Sequence, residues 1–157
     1  MANLSGLPEV FHGDTISTDS AAQVPVGTRA QDVNGNQYVY LQGTASTTGG
    51  SWVTFKMNTG YTALLTGSAV GPVAIAGTSI TAGLFGWYQI YGKNAIAKSD
   101  TVAAGAVLYV DGTDGRVDDA ANQGNLVLNA YSLTADTSNV LTVWVAFPSC
   151  NSGLIAL

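Results

Sequence analysis

Residues 28–41 read TRAQDVNGNQYVYL, two short runs of strand-forming residues on either side of the turn Asn34-Gly35-Asn36. Asn and Gly tolerate the positive φ angles that tight hairpin turns require. Tyr and Val on the far side of the turn are typical of strands. The stretch therefore predicts a β-hairpin with strands over residues 28–33 and 37–41.

Further short runs of β-branched and aromatic residues follow this hairpin. The predicted strands cover residues 51–57, 61–65, 70–76, 85–91, 93–98, 106–110, 125–133 and 140–147. Turn signals separate them about every ten residues, a spacing typical of sandwiches and barrels. No segment of adequate length has helical periodicity. The prediction is a mostly β, single-domain antiparallel β-sandwich or β-barrel, with the strand order left open.

The chain divides into three predicted parts: an extended N-terminal arm at 1–26, a β domain at 27–149 and an apolar C-terminal tail at 150–157. The arm has no sustained periodicity, yet both chain ends carry spaced apolar residues. Such residues favour docking, either on their own domain or on a neighbour. The candidate capsid or subunit contacts are Leu4, Leu7, Val10, Phe11, Ile16, Val24, Val26, Leu154, Ile155 and Leu157.

The composition excludes several classes of protein. The 157 residues include 10 acidic and 5 basic ones, for a net charge of −5, and 46% are hydrophobic. A chain this apolar is not expected to be disordered, and five scattered basic residues argue against nucleic-acid binding. No apolar run approaches the ~20 residues of a membrane-spanning helix, and the N-terminus does not resemble a signal peptide. We expect a soluble protein made in a cytoplasm.

The scarcity of charge favours assembly. Charged residues make up 10% of the chain, whereas typical soluble domains have about 25%. Monomers usually keep a charged surface for solubility. A surface that is covered in an oligomer or a larger particle accounts for the difference.

The residues most often used in catalysis are few. His12 is the only histidine and Cys150 the only cysteine, and a nucleophile–base pair would need an orienting third group as well. Neither residue lies in a nucleophile motif, and one cysteine can form neither an internal disulfide nor a structural zinc site. The sequence therefore predicts no catalytic residues and no cofactor.

Two other features have both a functional and a structural interpretation. The acidic segment from Asp111 to Asp119 supplies oxygen ligands of the kind calcium prefers, but it departs from the EF-hand pattern, and Asp and Gly are common in turns. Local turn chemistry is the favoured interpretation, with no metal predicted. Trp87, Tyr88 and Tyr91 could stack on a sugar, although aromatic residues in strands more often stabilise sheets.

Four stretches occur in order: VPVGTRAQDVNGNQYVYLQG at 24–43, GSWVTF at 50–55, GWYQIYG at 86–92 and VAAGAVLYV at 102–110. Together they resemble small virion proteins of tailed bacteriophages that serve as head decoration, or cement, proteins. The resemblance extends from about residue 24 to Phe147 and contains no catalytic signature.

The resemblance implies a β-rich, non-enzymatic protein on the capsid exterior, made in the host cytoplasm. Such proteins bind where subunits of the major capsid protein meet, often as trimers, and stabilise the expanded head. By this analogy residues 3–26 are the arm that contacts the capsid or a neighbouring subunit. The alternative is a phage fibre or spike domain, or a lectin-like carbohydrate-binding β module.

Overall fold

A computed structural model describes residues 9–11, 18–121 and 125–151. Its twelve strands are β1 (Glu9–Phe11), β2 (Thr18–Asp19), β3 (Arg29–Asp32), β4 (Gln37–Gln42), β5 (Trp52–Phe55), β6 (Thr62–Leu64), β7 (Gly71–Ala76), β8 (Phe85–Lys98), β9 (Val107–Val110), β10 (Val117–Asp118), β11 (Leu126–Ser132) and β12 (Val140–Cys150). All strand pairings are antiparallel except that of β1 with β3. The mostly β, antiparallel prediction is confirmed. In these ranges no helix is long and apolar enough to span a membrane.

Five strands form a first closed circuit of hydrogen-bonded neighbours. β4 pairs with β8, β8 with β7, β7 with β5, and β5 with β6. A parallel bridge between Gln42 and Tyr61 then joins the start of β6 to the end of β4. This circuit encloses the first core, which consists of Val39, Leu41, Val53, Phe55, Ala74, Ala76, Ile80, Tyr88 and Ile90.

A second circuit shares β8 with the first. β8 pairs with β12, β12 with β11, β11 with β9, and β9 with β10. Ser99, directly after β8, forms a parallel bridge with Val117 of β10 and closes the circuit. The second core consists of Trp52, Leu65, Val73, Ile75, Ala97, Val102, Leu108, Val110, Val117, Val127, Ala130, Leu141, Val143, Val145 and Cys150.

β5 and β7 separate the two cores. Successive side chains of a strand point to opposite faces, so Val73 and Ile75 pack in the second core while the alanines that alternate with them pack in the first. Trp52 of β5 also enters the second core, where its indole N–H donates to the carbonyl of Lys98 over 3.0 Å. A strand buried on both faces explains why residues 71–76 lack a polar alternation.

β8 changes its partner part-way along its length. Residues up to Tyr91 lie beside β4, and residues from Tyr91 onward lie beside β12. Gly92 at this bend has φ +104, a conformation that favours glycine. The buried Gln89 amide donates to the carbonyls of Tyr91 and Lys93, each over 3.1 Å, and accepts from Asn94 over 2.8 Å. This polar network fixes the bend, since a buried donor without a partner is costly.

A smaller apolar cluster covers the outer side of β3, β4 and β8. It comprises Ala30, Tyr38, Tyr40 and Trp87, with Val24 and Phe85 packed against it. The Tyr40 hydroxyl donates to the Asp19 carboxylate over 2.6 Å and accepts from the amide of Gln23 over 3.2 Å. Residues 18–26 of the predicted arm therefore lie on the chain's own domain.

Most strands differ from their predicted ranges by one or two residues at an end, and two differ by more. The runs at 85–91 and 93–98 are a single strand, because the glycine between them bends the strand instead of ending it. β12 continues past Phe147 to Cys150. Pro148 lies in an irregularity between the paired residues Val145 and Ser149, where its missing N–H removes no bond between the strands.

Gly92→Ala is expected to destabilise the protein. A Cβ at Gly92 would lie 2.0 Å from Oδ1 of Asn36, whereas one at Gly105, which also has positive φ, would meet nothing within 4 Å. Urea unfolding should show a loss of about 3 kcal/mol for Gly92→Ala, and about 1 kcal/mol for the control Gly105→Ala, which has backbone strain alone. Equal losses would contradict the clash with Asn36.

Two buried tyrosines are expected to respond oppositely to loss of their hydroxyl. Burial raises the pKa of Tyr88 to about 12, and the nearby Thr62 and Thr47 hydroxyls partly offset this rise. Neither threonine makes a hydrogen bond of normal geometry with the Tyr88 hydroxyl. Tyr88→Phe should leave the free energy of unfolding unchanged or raise it by about 1 kcal/mol, while Tyr40→Phe should lower it by about 1–2 kcal/mol because the Asp19 carboxylate loses its donor. Chemical denaturation at pH 7 measures both. A larger loss for Tyr88→Phe than for Tyr40→Phe would contradict this account.

Candidate functional site

A surface cleft of about 340 Å³ lies where the turn between β3 and β4 meets the bend of β8. The turn supplies one side of the cleft, β8 supplies its floor and β12 supplies an aromatic wall. The lining residues are Asn34, Gly35, Asn36, Tyr91, Gly92, Lys93, Ala95 and Trp144. The turn of the hairpin predicted at 28–41 therefore forms one side of this cleft.

Asp32 organises the turn side of the cleft. Its carboxylate accepts from the amides of Asn34 and Asn36 over 2.8 and 3.0 Å, from Nδ2 of Asn36 over 2.8 Å and from the Tyr38 hydroxyl over 3.3 Å. Burial and the neighbouring Asp32 raise the pKa of Tyr38 above its usual range. The hydroxyl therefore stays protonated and remains a donor.

Asn36 joins the turn to the bend. Its Oδ1 accepts from the amide of Lys93 over 3.2 Å, and the same atom occupies the space that a side chain at Gly92 would need. The turn and β8 are consequently held at a fixed separation. A cleft between two elements tied in this way is already formed before a ligand binds.

Three aromatic rings stand beside the cleft. Tyr91 and Trp144 have centroids 5.6 Å apart and planes at 71°, and Tyr91 lies equally close to Phe147, with planes at 37°. The Arg29 guanidinium lies 5.7 Å from the centroid of Phe147, within range of a cation–π interaction. Phe147 has φ +55, and such unfavourable backbone conformations concentrate at functional sites.

An exposed row of side chains crosses four neighbouring strands next to the cleft. Val107 of β9 pairs with Tyr131 of β11, Tyr131 pairs with Trp144 of β12, and Trp144 pairs with Lys93 of β8. Tyr131 is 46% exposed and Val107 is 55% exposed. Leu128, Leu133 and Val140 are also exposed on or directly beside these strands. We call Val107, Leu128, Tyr131, Leu133 and Val140 the apolar face.

The sugar-stacking residues suggested by the sequence are only partly accessible. Trp87 is 6% exposed and Tyr88 is fully buried, so neither can present a ring face to a ligand. Tyr91 does reach the surface, and its ring partners Trp144 and Phe147 come from β12. Alternation along the predicted strand at 140–147 is the sequence signal that could have identified Trp144. Val143 and Val145 on either side of it pack in the core, so Trp144 lies on the outward face.

Cys150 is a core residue with an unreactive environment. Burial raises the pKa of its thiol to about 12, so at neutral pH the thiolate that acts as a nucleophile is scarce. His12, the base with which it might pair, lies outside the described residues. The thiol serves as a small apolar group of the second core.

Two residues of the acidic segment lie close to a third carboxylate from outside it. Asp111 and Asp118 meet Asp100, with one carboxylate oxygen of each within 4.8 Å of the others. Both oxygens of Asp111 accept amides of its own turn, over 2.7 and 3.1 Å, and Asp118 accepts the amides of Asp119 and Ala120. These contacts fit the turn interpretation, in which Asp side chains satisfy the backbone around them.

The predicted contact residues divide between described and undescribed parts of the chain. Val24 and Val26 are half-buried against the chain's own apolar clusters, and Val10 and Phe11 belong to β1, which pairs with β3. The rest lie outside the described residues: Leu4, Leu7, Ile16, Leu154, Ile155 and Leu157. Their contact with a capsid or a neighbouring subunit stays a prediction.

Comparison with protein-family models, with curated proteins and with solved structures finds no match for this chain. The geometry of the cleft and of the apolar face therefore carries the functional argument, together with the resemblance in sequence.

The Cys150 thiol is expected to resist a disulfide reagent in the native protein. A pKa of about 12 in place of 9.0 lowers the thiolate fraction at pH 8 by about 1000-fold, and burial also excludes the reagent. Absorbance of released thionitrobenzoate should rise slowly in buffer and at once in guanidinium chloride, which serves as the control. Rapid labelling of the folded protein would contradict the buried position.

Proposed function

We propose that this protein is a non-enzymatic virion structural protein that binds the outer surface of a phage head and stabilises the capsid lattice. Its partner is the major capsid protein, and it acts as a homo-oligomer, with a trimer favoured. The observation that carries this proposal is the composition of β9, β11 and β12. These three adjacent strands contain no charged residue, and their outward side chains include the apolar face.

An uncharged sheet surface of this kind is costly in a free monomer. Exposed apolar side chains on adjacent strands mark interaction sites more often than single scattered ones do. Apolar area removed from water contributes about 25 cal/mol per Å², so coverage by a partner stabilises the assembly. Charged residues are scarce along the whole chain, which is consistent with a protein whose surface is largely covered by its neighbours in a particle.

A lattice explains why no strong single site is needed. A decoration protein contacts many equivalent copies of the capsid protein, and linked weak contacts reach high overall affinity through effective concentration. Closed symmetry places the same face on each copy. The resemblance to head decoration proteins over residues 24–147 supports this assignment, and the arm and tail residues then add contacts at the edges of the domain.

Mass spectrometry of purified particles tests the location. We expect a fixed ratio of this chain to the major capsid protein, close to one copy each or to one trimer per local three-fold position. A ratio far below this would indicate a tail or fibre component and would overturn the proposal, as would absence from the particle.

The apolar face can be tested with one added charge. Phage heads that lack this protein serve as the binding target. Tyr131→Asp should weaken binding to them by tenfold or more, about 1.4 kcal/mol for each contact, because the new carboxylate would be buried without a partner. Met57→Asp is the matched control, since Met57 is also exposed but lies in the turn between β5 and β6. Co-sedimentation with such heads measures both. Equal binding by the two variants would contradict the assignment of this face.

A further inference from the structure

We propose that the cleft beside the β8 bend binds a saccharide of one or two rings, with Trp144 as the stacking platform. The juxtaposition behind this proposal is an aromatic corner, Tyr91 with Trp144, facing the polar side chains of the β3–β4 turn. The cleft borders the apolar face, since Trp144 pairs with Tyr131, but the inference does not depend on the capsid-binding proposal.

The size and shape of the cleft suit a small ligand. Binding pockets for small molecules range over about 300–1,000 Å³ and combine aromatic walls with a few polar groups. At about 340 Å³ this cleft lies near the lower end of that range. Its open side faces solvent, which suits the end of a longer glycan as well as a free sugar.

The aromatic corner matches the two kinds of surface that a sugar ring presents. A pyranose has apolar C–H faces and a rim of hydroxyl groups. The Trp144 ring, half-buried on the outer side of β12, can cover one C–H face, while Tyr91, at 71° to it, forms a side wall. Aromatic residues of this type combine a large apolar area with a polar tip.

Polar groups also line the cleft and can bind the hydroxyl groups of a sugar. Asn34 offers an amide that both donates and accepts, and its side chain forms no hydrogen bond within the described part of the chain. The Tyr91 hydroxyl both donates and accepts, and the Lys93 ammonium donates. Neighbouring hydroxyls of a sugar need such mixed partners, because each is donor and acceptor at once.

Lys93 makes the chemical class more specific. It is the only charged residue that lines the cleft, and it is exposed on β8 opposite Trp144. An ammonium in that position pairs with a carboxylate, so a sugar acid is expected to bind more tightly than the neutral sugar of the same size. Asn36 contributes by positioning, since its amide is already bonded to Asp32 and to the backbone of Lys93.

The first test is binding of neutral and acidic oligosaccharides to the purified full chain, by glycan array and then by tryptophan fluorescence. Trp52 is fully buried and Trp87 nearly so, which leaves Trp144 as the indole that a ligand in the cleft would perturb. We expect a saturable fluorescence change with uronic or sialic acid-containing sugars and weaker binding of neutral analogues. No signal with any saccharide at millimolar concentration would overturn the proposal.

Variants then locate the site. Trp144→Ala should reduce affinity by about tenfold or more, and Asn34→Ala, in the exposed turn, should reduce it without touching the core. Lys93→Gln should lower affinity for acidic sugars while leaving neutral ones unchanged.

Tyr61→Ala is the matched control, because Tyr61 is an exposed aromatic residue that does not line the cleft. Thermal unfolding confirms that each variant is folded, and isothermal titration calorimetry replaces fluorescence for Trp144→Ala. Wild-type affinity in both Trp144→Ala and Asn34→Ala, or an equal loss in Tyr61→Ala, would place binding elsewhere and refute the assignment.

Discussion

Both cores depend on the change of hydrogen-bonded partner along β8. One strand of 14 residues serves two circuits, so it must leave β4 and join β12 without losing the backbone hydrogen bonds of either. A side chain at position 92 would oppose both the backbone conformation and Asn36. The buried amide of Gln89 supplies donors to two carbonyls at the same point. The two cores can therefore share one wall, β5 and β7, instead of forming separate domains.

The same bend forms the cleft. Because β12 pairs with β8 from Tyr91 onward, the ring of Trp144 meets that of Tyr91 at the junction. β12 then leaves β8 for β7 near Phe147, whose left-handed backbone turns its ring toward Tyr91 and Arg29. The aromatic cluster is thus a consequence of two strands exchanging partners. A cleft formed in this way is rigid, since moving its walls would break pairing in the sheet.

Local sequence patterns predicted most of the strands, whereas the residues that form the cleft are brought together by long-range strand pairing. The hairpin at 28–41 and the strands after it follow from turn residues and β-branched runs, which act over a few residues. Whether Gly92 ends a strand or bends it depends on Asn36, which is 56 residues earlier in the chain. Alternation within β8 also could not show which aromatic side chains are exposed. Trp87 and Tyr91 share a strand face, yet Trp87 is covered by residues from β3 and β4, while Tyr91 contacts Trp144 of β12. Similarly, Asp100 joins Asp111 and Asp118 only because β10 closes the second circuit.

The uncharged strands and the cleft place different physical demands on one sheet. β9, β11 and β12 fill the second core with one set of side chains and present the other set outward, and water alone would favour charge at those outward positions. Their apolar character is therefore not required by the fold, since the inward set already supplies the core. Lys93 interrupts this character where the bend of β8 and the β3–β4 turn form the cleft. A flat apolar area suits a broad protein partner, whereas a concave corner with one cation suits a small polar ligand.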